Sequence, residues 1–191
     1  MRNGILISLI GLTFVSPLLM TQAEPEPIVS PVVSPALIPL EVDYVLNEAE
    51  HCMALNIYHE ARSDNLAGKF AVADVVLNRV YDTRYPSTVC DVIYQGKHKP
   101  SWKDPNVLVP IRNQCQFSWY CDGKSDDPYD SDSWREAVLI SVQIINDGRY
   151  RGLTEGATHY HADWIEPYWA PTLQQIGTIG SHVFYRAEMN K

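Results

Sequence analysis

The segment from Leu66 to Val80 constrains the fold more than any other part of the chain, because apolar side chains surround nearly its whole circumference. These side chains are Phe70, Ala71, Val72, Ala73, Val75, Val76, Leu77 and Val80. A helix that is apolar on every side is stable only where other elements cover it. The pattern therefore predicts a central, buried helix. The preceding run Ser63-Asp64-Asn65 separates it from an earlier helix and can cap its start.

The earlier helix is predicted over Asn47 to Arg62, and it carries a carboxyl group on its apolar face. When successive residues are placed about 100° apart, Glu60 falls about 20° from Ala49, in the middle of that face. The other members of the face are Cys52, Met53, Asn56 and Ile57. A carboxylate in such a position is costly unless it has partners or a function.

Glu60 is therefore the strongest candidate for a catalytic residue. Apolar surroundings disfavour the ionised form of a carboxyl group and raise its pKa, which gives an acid that keeps its proton near neutral pH. The alternative is a structural glutamate that pairs with Arg62, with Arg79 or with a helix end.

Downstream of residue 80 the chain first loses its helical pattern and then regains it. Residues 81–110 are predicted to be rich in loops, with one short apolar segment at Val89–Tyr94. The S-x-x-E pattern of Ser133 to Glu136 is typical of a capping box. It predicts a helix that continues through Ile145 and ends at Gly148.

The C-terminal part predicts short strands over Ala157–Ala162 and His182–Arg186. Gly177 and Gly180 are expected to provide the turns next to them. Because helices come first and a small sheet follows, the order of elements indicates an α+β domain.

The N-terminal region predicts export. Residues 1–23 contain one basic residue, an apolar run from Ile5 to Met20 and the small-x-small ending Thr21-Gln22-Ala23, as a cleaved signal peptide does. The run is shorter than the roughly 20 residues of a membrane span, and an uncleaved N-terminal anchor is the alternative. Residues 24–42 are rich in proline and predict an extended linker. The folded domain is expected over residues 43–191.

The chain has four cysteines, and in an exported protein these favour disulfide bonds. Cys115 and Cys121 enclose a short loop, so we pair them with each other. This leaves Cys52 to pair with Cys90. A structural zinc site is the alternative, although the chain has no C-x-x-C spacing.

Charge and aromatic content narrow the class of ligand. The chain has 15 Lys and Arg against 23 Asp and Glu, a net charge of −8, which argues against binding to nucleic acid. All five tryptophans lie after residue 100, and flat rings beside polar groups suit stacking on sugars. Gln116 and Ser118, which flank Phe117 in the short cysteine loop, can hydrogen-bond to a polar ligand.

A metal site is a competing hypothesis. The run Thr158-His159-Tyr160-His161 places His159 and His161 on the same side of a strand. With a third ligand they would bind zinc, which activates water for amide hydrolysis. Because His59-Glu60 does not continue as H-E-x-x-H, and because histidines in strands are usually structural, we expect no metal.

Ordered sequence blocks extend over residues 52–186. Two of them are Ala54–Arg62, which contains the E-A-R motif at Glu60, and Ala71–Val80. The later blocks are Tyr85-Pro86, Thr88–Cys90, Val92–Tyr94, Cys115–Ser118, Gly156–His161 and Gly180–Tyr185. Together these blocks closely resemble the SleB-type cell-wall hydrolases, which include the spore-cortex lytic enzymes.

This resemblance implies a mostly helical domain, similar to lysozyme and the lytic transglycosylases, with a small antiparallel sheet. It also implies that the chain cleaves peptidoglycan glycan strands between N-acetylmuramic acid and N-acetylglucosamine as a lytic transglycosylase. Hydrolysis by a lysozyme-type muramidase is the alternative, and a zinc amidase or a non-catalytic wall-binding module is less favoured. We expect a periplasmic or secreted monomer that acts on peptidoglycan and needs no cofactor.

The resemblance also implies roles for individual residues. The glutamate of the E-A-R motif is the family's catalytic residue, which here is Glu60. Motif positions predict a substrate-binding set of Gln116, Phe117, Ser118, Tyr94, Tyr160 and His161. For hydrolysis, a second acid would come from Asp74, Asp122, Asp163 or Glu166. The family usually has glycine and glutamate after E-A-R, so Ser63-Asp64-Asn65 predicts an altered loop beside Glu60.

Overall fold

The computed structural model describes residues 44–187, and the helices of this part form one packed group. Their bounds are α1 Glu48–Ala61, α2 Leu66–Tyr81, α3 Val89–Ile93 and α4 Ser131–Asn146. Helix α1 packs against each of the other three helices. The predicted signal peptide and linker, residues 1–42, lie outside the described residues.

The strands form two separate antiparallel sheets. In the first, β1 Gly96–Pro100 pairs with β2 Leu108–Cys115 as a hairpin. The second contains β3 His159–Ala162, β4 Gln174–Ile179 and β5 His182–Arg186, and β5 lies between the other two strands. The α+β fold class is therefore confirmed, with two small sheets where one was expected.

Asparagine side chains cap the first two helices. Asn47 accepts a hydrogen bond from the Glu50 amide at 3.0 Å, and Glu50 in turn accepts one from the Asn47 amide at 2.8 Å, which completes a capping box. Asn65 caps α2 by accepting from the Gly68 amide at 2.9 Å. Both helices therefore begin within one residue of their predicted starts.

Helix α2 is the centre of the domain, as its apolar circumference predicts. Val72, Val75 and Val76 have no exposed surface. Part of the helix contributes to the core with α1, α3 and α4, while Ala71 and Val75 pack with Ala157 and Phe184 of the sheet region. Helix α2 thus joins the helical part of the core to the three-stranded sheet.

Both predicted disulfide bonds are present in the structure. Cys52–Cys90 connects α1 to α3, and Cys115–Cys121 connects the end of β2 to a short 3₁₀ helix at Ser118–Cys121. Within residues 44–187, no helix has the length and apolar character needed to cross a membrane.

The predicted capping box at Ser133–Glu136 is wrong. Helix α4 begins at Ser131, because the N-cap is Asp130, three residues before Ser133, and Asp130 accepts from the Ser133 amide at 2.7 Å. Glu136 instead forms an ion pair with Lys69 at 2.5 Å. The helix still ends before Gly148, whose φ of +62° suits a glycine after a helix end.

The prediction of mostly loop over residues 81–110 missed the β1–β2 hairpin. Every residue of β1 is exposed, so the alternation that marks a half-buried strand is missing from its sequence. Strand β4 was also missed. Gly177 lies inside β4 at an irregularity in its pairing with β5, whereas Gly180 forms the turn with a φ of +60°.

Candidate active site

Glu60 lies in the last turn of α1, where the helical group meets the three-stranded sheet. The Tyr160 hydroxyl, from β3, donates a hydrogen bond to Glu60 Oε2 at 3.1 Å. This is the one hydrogen bond to the Glu60 carboxyl within residues 44–187. Neither Arg62 nor Arg79 replaces it with an ion pair, so the alternative of a paired structural glutamate is not what the structure shows.

The surroundings of Glu60 favour its protonated form. The residue keeps some exposed surface, but its carboxyl group is largely removed from water. This burial raises the pKa of Glu60 above its ordinary value, and the Tyr160 hydrogen bond and the positive charge of Arg79 only partly oppose the rise. A side chain of this kind can give up a proton in a reaction and later take one back.

A cleft of about 450 Å³ opens beside Glu60. One wall is formed by Trp119, whose ring stacks on His59 with centroids 4.7 Å apart. His59 Nε2 also lies 3.0 Å from the Asp126 carbonyl oxygen, and this contact connects the wall to the segment that contains Asp126. The cleft therefore combines aromatic surface with polar groups, as sugar-binding clefts do.

A second, smaller cavity of about 140 Å³ also reaches Glu60. Its lining residues are Glu60, Arg79, Gln116, Phe117, Ser118 and Tyr160. Glu60 and Ser118 line both cavities. The structure thus brings together the catalytic candidate and four members of the predicted substrate-binding set.

The loop with Gln116 and Ser118 is fixed at several points. The Gln116 amide donates to the Gln95 carbonyl at 2.8 Å, and the Cys115–Cys121 bond closes the loop. The Trp119 indole donates to Asn56 Oδ1 at 3.0 Å, which attaches the loop to α1. These contacts hold the polar groups of the loop at a defined position relative to Glu60.

Two members of the predicted set, Tyr94 and His161, lie outside both cavities. Tyr94 packs against Trp119 and Tyr120, with ring centroids 6.2 and 4.6 Å away. His161 lies on the opposite face of β3 from Tyr160, because side chains alternate along a strand. There its Nε2 lies 3.0 Å from the Tyr185 hydroxyl. Both residues support neighbours of the site and do not line it.

The histidines of β3 do lie on one side of the strand, as expected. His159 and His161 both contact the Trp169 ring, at centroid distances of 5.5 and 5.7 Å. Within residues 44–187, no group of three or more His, Cys, Asp or Glu side chains is arranged to hold a metal ion.

The altered loop after the E-A-R motif is anchored by Asp64. Its carboxylate accepts hydrogen bonds from the Ser181 amide and hydroxyl and lies 3.1 Å from His182 Nδ1. Burial opposes ionisation, but these hydrogen bonds outweigh it and lower the pKa of Asp64. The loop beside Glu60 is therefore attached to the turn between β4 and β5.

The predicted second acids occupy different environments. Asp74 is fully buried and pairs with Arg151 and Thr154, which is a structural role. Asp122 lines the larger cleft together with Glu60, and so does Asp126, which the sequence analysis missed. Burial raises the pKa of Asp126. Asp163 and Glu166 line neither cavity at Glu60.

Arg79 is a second residue of the site that the sequence pattern does not predict to line a cavity; the pattern indicates it only as a possible partner of Glu60. It lines the smaller cavity, and its side chain is almost fully buried. The available signal was its position on a helix that is mostly apolar, and Arg79 shares that signal with the buried Lys69 and Asp74 of the same helix.

Comparison with known proteins gives consistent results. Residues 63–185 match the protein family described as cell wall hydrolase. The chain is 30% identical to the spore cortex-lytic enzyme of Oceanobacillus iheyensis over 132 residues, which cover 69% of this chain and 39% of that protein. It is 28% identical to the spore cortex-lytic enzyme of Bacillus cereus, covering 69% and 42%. The chain therefore spans less than half of the length of either relative.

Solved structures show the same relationship. The catalytic domain of the germination-specific lytic transglycosylase SleB from Bacillus anthracis is 26% identical, with a TM-score of 0.51 over 77% of this chain and 100% of that one. The catalytic domain of the Bacillus cereus SleB protein is also 26% identical, with a TM-score of 0.51 over 75% and 94%.

Proposed function

The chain belongs to the SleB-type cell wall hydrolase family, and from this premise we propose that it cleaves peptidoglycan glycan strands as a lytic transglycosylase. The bond cut lies between N-acetylmuramic acid and N-acetylglucosamine, and the product carries a 1,6-anhydro-muramoyl end. One observation carries the proposal: Glu60, a carboxyl group whose pKa is raised by burial, is the acidic residue that lines both cavities.

The first step uses Glu60 as a general acid. The protonated carboxyl donates its proton to the glycosidic oxygen, the bond from that oxygen to the muramoyl C1 breaks, and positive charge develops at C1. The Glu60 carboxylate that remains is stabilised by the Tyr160 hydroxyl and by the charge of Arg79.

The second step uses the same group as a general base. The Glu60 carboxylate takes the proton of the muramoyl C6 hydroxyl while the C6 oxygen bonds to C1, which closes the anhydro ring and restores the protonated acid. No water is consumed. Because the substrate supplies the nucleophile, the second carboxylate that glycosidases ordinarily use is not required.

The loop at Gln116 and Ser118 is assigned to holding the sugar. Ser118 lines both cavities, and Gln116 and Phe117 line the smaller one. General acid–base catalysis contributes about 10²–10⁴-fold in rate, so the remainder of the acceleration must come from positioning the strand and stabilising charge.

Hydrolysis is the second candidate, and one observation favours it. Asp122 lines the same cleft as Glu60, and hydrogen bonds from Lys124 lower the pKa of Asp122 and keep it ionised. A carboxylate in such a position can activate a water molecule, which would then attack C1 in place of the C6 hydroxyl.

Location outside the cytoplasm is part of the proposal. Peptidoglycan lies in the cell envelope, and both disulfide bonds suit an oxidising compartment. The periplasm or the medium is therefore the expected location, and a protein purified with its disulfide bonds intact is the appropriate material for testing.

Mass spectrometry of the products from purified sacculi tests the reaction. The wild type is expected to release muropeptides with anhydro ends, which lack one water relative to reducing ends. Glu60→Gln is expected to release none, whereas Glu48→Gln, a matched change at an exposed position of the same helix, releases the wild-type products.

Each other outcome contradicts the proposal in a specific way. Reducing ends that disappear in Asp122→Asn would assign hydrolysis. Free stem peptides from an intact glycan, lost after EDTA treatment, would assign a zinc amidase. Clearing of sacculi by Glu60→Gln at the wild-type rate would remove Glu60 from its assigned role.

A further inference from the structure

Arg79 is a buried cation whose hydrogen-bonding capacity is only partly used. The residue is 5% exposed, and its Nε donates to the Thr158 carbonyl at 2.8 Å. The guanidinium carbon lies 5.4 Å from the centroid of the Tyr85 ring and 5.3 Å from that of Phe117. Nη1 is buried and has no hydrogen-bond partner within residues 44–187.

Such an arrangement is costly for a merely structural residue. A buried donor of a charged group that has no acceptor loses its hydration without gaining a hydrogen bond. Helix α2 shows the contrast five residues earlier, because the buried carboxylate of Asp74 pairs with Arg151 and accepts from the amides of Gly152 and Thr154. The fold therefore compensates a buried charge on this helix where the charge is structural.

Glu60 does not supply the missing acceptor. It lines the same small cavity as Arg79, but no hydrogen bond or ion pair joins the two side chains. Burial also raises the pKa of the Glu60 carboxyl, which disfavours the ionised form that would pair with Arg79. No group within residues 44–187 therefore serves as the acceptor for Arg79 Nη1.

The small cavity is the place from which that acceptor can arrive. Its volume of about 140 Å³ is well below the roughly 300–1,000 Å³ of a pocket for a complete ligand. It therefore suits a substituent of the sugar next to the cleaved bond, while the ring itself occupies the larger cleft. The 2-acetamido and 3-lactyl substituents of a muramoyl residue each carry an acyl oxygen, which is a good acceptor for guanidinium.

The geometry points to Arg79 as a substrate-binding residue whose guanidinium donates to an acyl oxygen of the muramoyl residue, from the 2-acetamido or the 3-lactyl group. This inference rests on the proposed function, since it names the substituent that the same site recognises. The contacts with the rings of Tyr85 and Phe117 and the hydrogen bond to Thr158 hold the guanidinium in place before the substrate binds.

Rates on sacculi provide the first test. Arg79→Met is expected to lower kcat/KM about 10- to 100-fold, as the loss of a hydrogen bond to a charged group does. Arg79→Lys keeps the positive charge but lacks the planar array of N–H donors, so its kcat/KM should lie between those of Arg79→Met and the wild type. Arg84→Met, a matched change at an exposed arginine, should stay within about twofold of the wild type.

Binding measurements identify the oxygen. Calorimetry in the Glu60→Gln background, with and without Arg79→Met, uses a denuded muramic-acid-containing tetrasaccharide and chitotetraose, which has acetamido groups only. Loss of affinity for the first sugar alone assigns the lactyl group, and an equal loss for both assigns the acetamido group. Unchanged affinity for both sugars overturns the inference. If Arg79→Met does not fold, Arg79→Lys serves in both arms with the same criteria.

The pH profile separates binding from a structural role. Removal of the Arg79 charge raises the pKa of Glu60 further, so the alkaline limb of kcat/KM should move to higher pH in Arg79→Met. If the alkaline limb of Arg79→Met lies at the same pH as that of the wild type, and its kcat/KM is within about twofold of the wild type, the inference is overturned. Absence of glycan cleavage by the wild type is a different result, because it contradicts the proposed function itself.

Discussion

Helix α1 carries a glutamate near each end, and the two differ in their surroundings. Glu50, in the first turn, has no exposed surface and accepts hydrogen bonds from the Tyr44 hydroxyl at 2.5 Å, the Asn47 amide at 2.8 Å and the Asn146 side chain at 2.8 Å. Glu60, in the last turn, accepts a single hydrogen bond within residues 44–187. Ten residues correspond to about 15 Å along the helix axis.

The two carboxyl groups consequently have opposite properties. Burial alone would raise the pKa of Glu50, but its hydrogen bonds from Tyr44, Asn47 and Asn146 outweigh burial and lower it. Burial raises the pKa of Glu60, and its weaker set of partners does not reverse the rise. The comparison teaches that the number of hydrogen-bond donors, together with burial, decides whether a glutamate in a folded protein is a structural anion or a reactive acid.

Activity should show the largest difference between the two glutamates. Glu60→Gln is expected to lower kcat on sacculi by about 10²–10⁴-fold, because it removes the acid and base of both steps. Glu50→Gln should stay within a few-fold of the wild type at a temperature where it is folded. Equal losses in the two variants, with both folded by circular dichroism, would mean that the site does not depend on Glu60 specifically.

Stability should show the reverse pattern. Glu50→Ala is expected to lower the free energy of unfolding by about 1–2 kcal/mol, because it removes one half of the capping box and the acceptor of the hydrogen bonds from Tyr44 and Asn146. Glu60→Gln should be at least as stable as the wild type at pH 7, since it removes a carboxyl that is poorly supplied with donors. Urea unfolding measures the free energy of unfolding of both variants, and Glu48→Gln is the control. A larger loss in Glu60→Gln than in Glu50→Ala contradicts the comparison.

The pH dependence of stability sharpens the contrast. Glu50 has a folded pKa below its ordinary 4.5, so its contribution is present above pH 4.5 and is lost as the pH falls through the folded pKa. Glu60 has a folded pKa above 4.5, so its protonated form favours folding and stability declines as the pH rises from 4.5 through the folded pKa. In a plot of the free energy of unfolding against pH, Glu50→Gln should flatten the part below pH 4.5. Glu60→Gln should flatten the part above pH 4.5.

Tyr160→Phe should have the smallest effect. It removes the hydrogen bond that lowers the pKa of Glu60, so the alkaline limb of kcat/KM should move to higher pH while kcat near the optimum falls only several-fold. A shift of that limb to lower pH would show that Tyr160 does not act as a donor to Glu60.

The sequence was most informative where a charge interrupts an apolar pattern. The helical period placed Glu60 on a buried face, and the apolar circumference of Leu66–Val80 predicted the central helix; both are present in the structure. Disulfide pairing also followed from spacing, because Cys115 and Cys121 close a short loop. In each case the decisive information is local along the chain.

Features that depend on contacts between residues far apart in the sequence could not be predicted from local patterns. Arg79 meets Phe117 and Thr158, and nothing local to α2 indicates those neighbours. Alternation along β3 shows that Tyr160 and His161 point in opposite directions, but not which of them faces α1. That choice is made by the packing of the sheet against the helices. Tyr160 lines the smaller cavity and His161 lines neither, and substrate binding by His161 stays a prediction.

The most direct measurement of the central claim is the pKa of Glu60 itself. Protein labelled with ¹³C at the glutamate carboxyl carbon is titrated by NMR, and Glu60→Gln and Glu50→Gln assign the two signals. We predict that the Glu60 signal titrates above its ordinary 4.5 and the Glu50 signal below that value. A Glu60 signal that titrates at or below 4.5 would contradict the account, because the group could not serve as a proton donor near neutral pH.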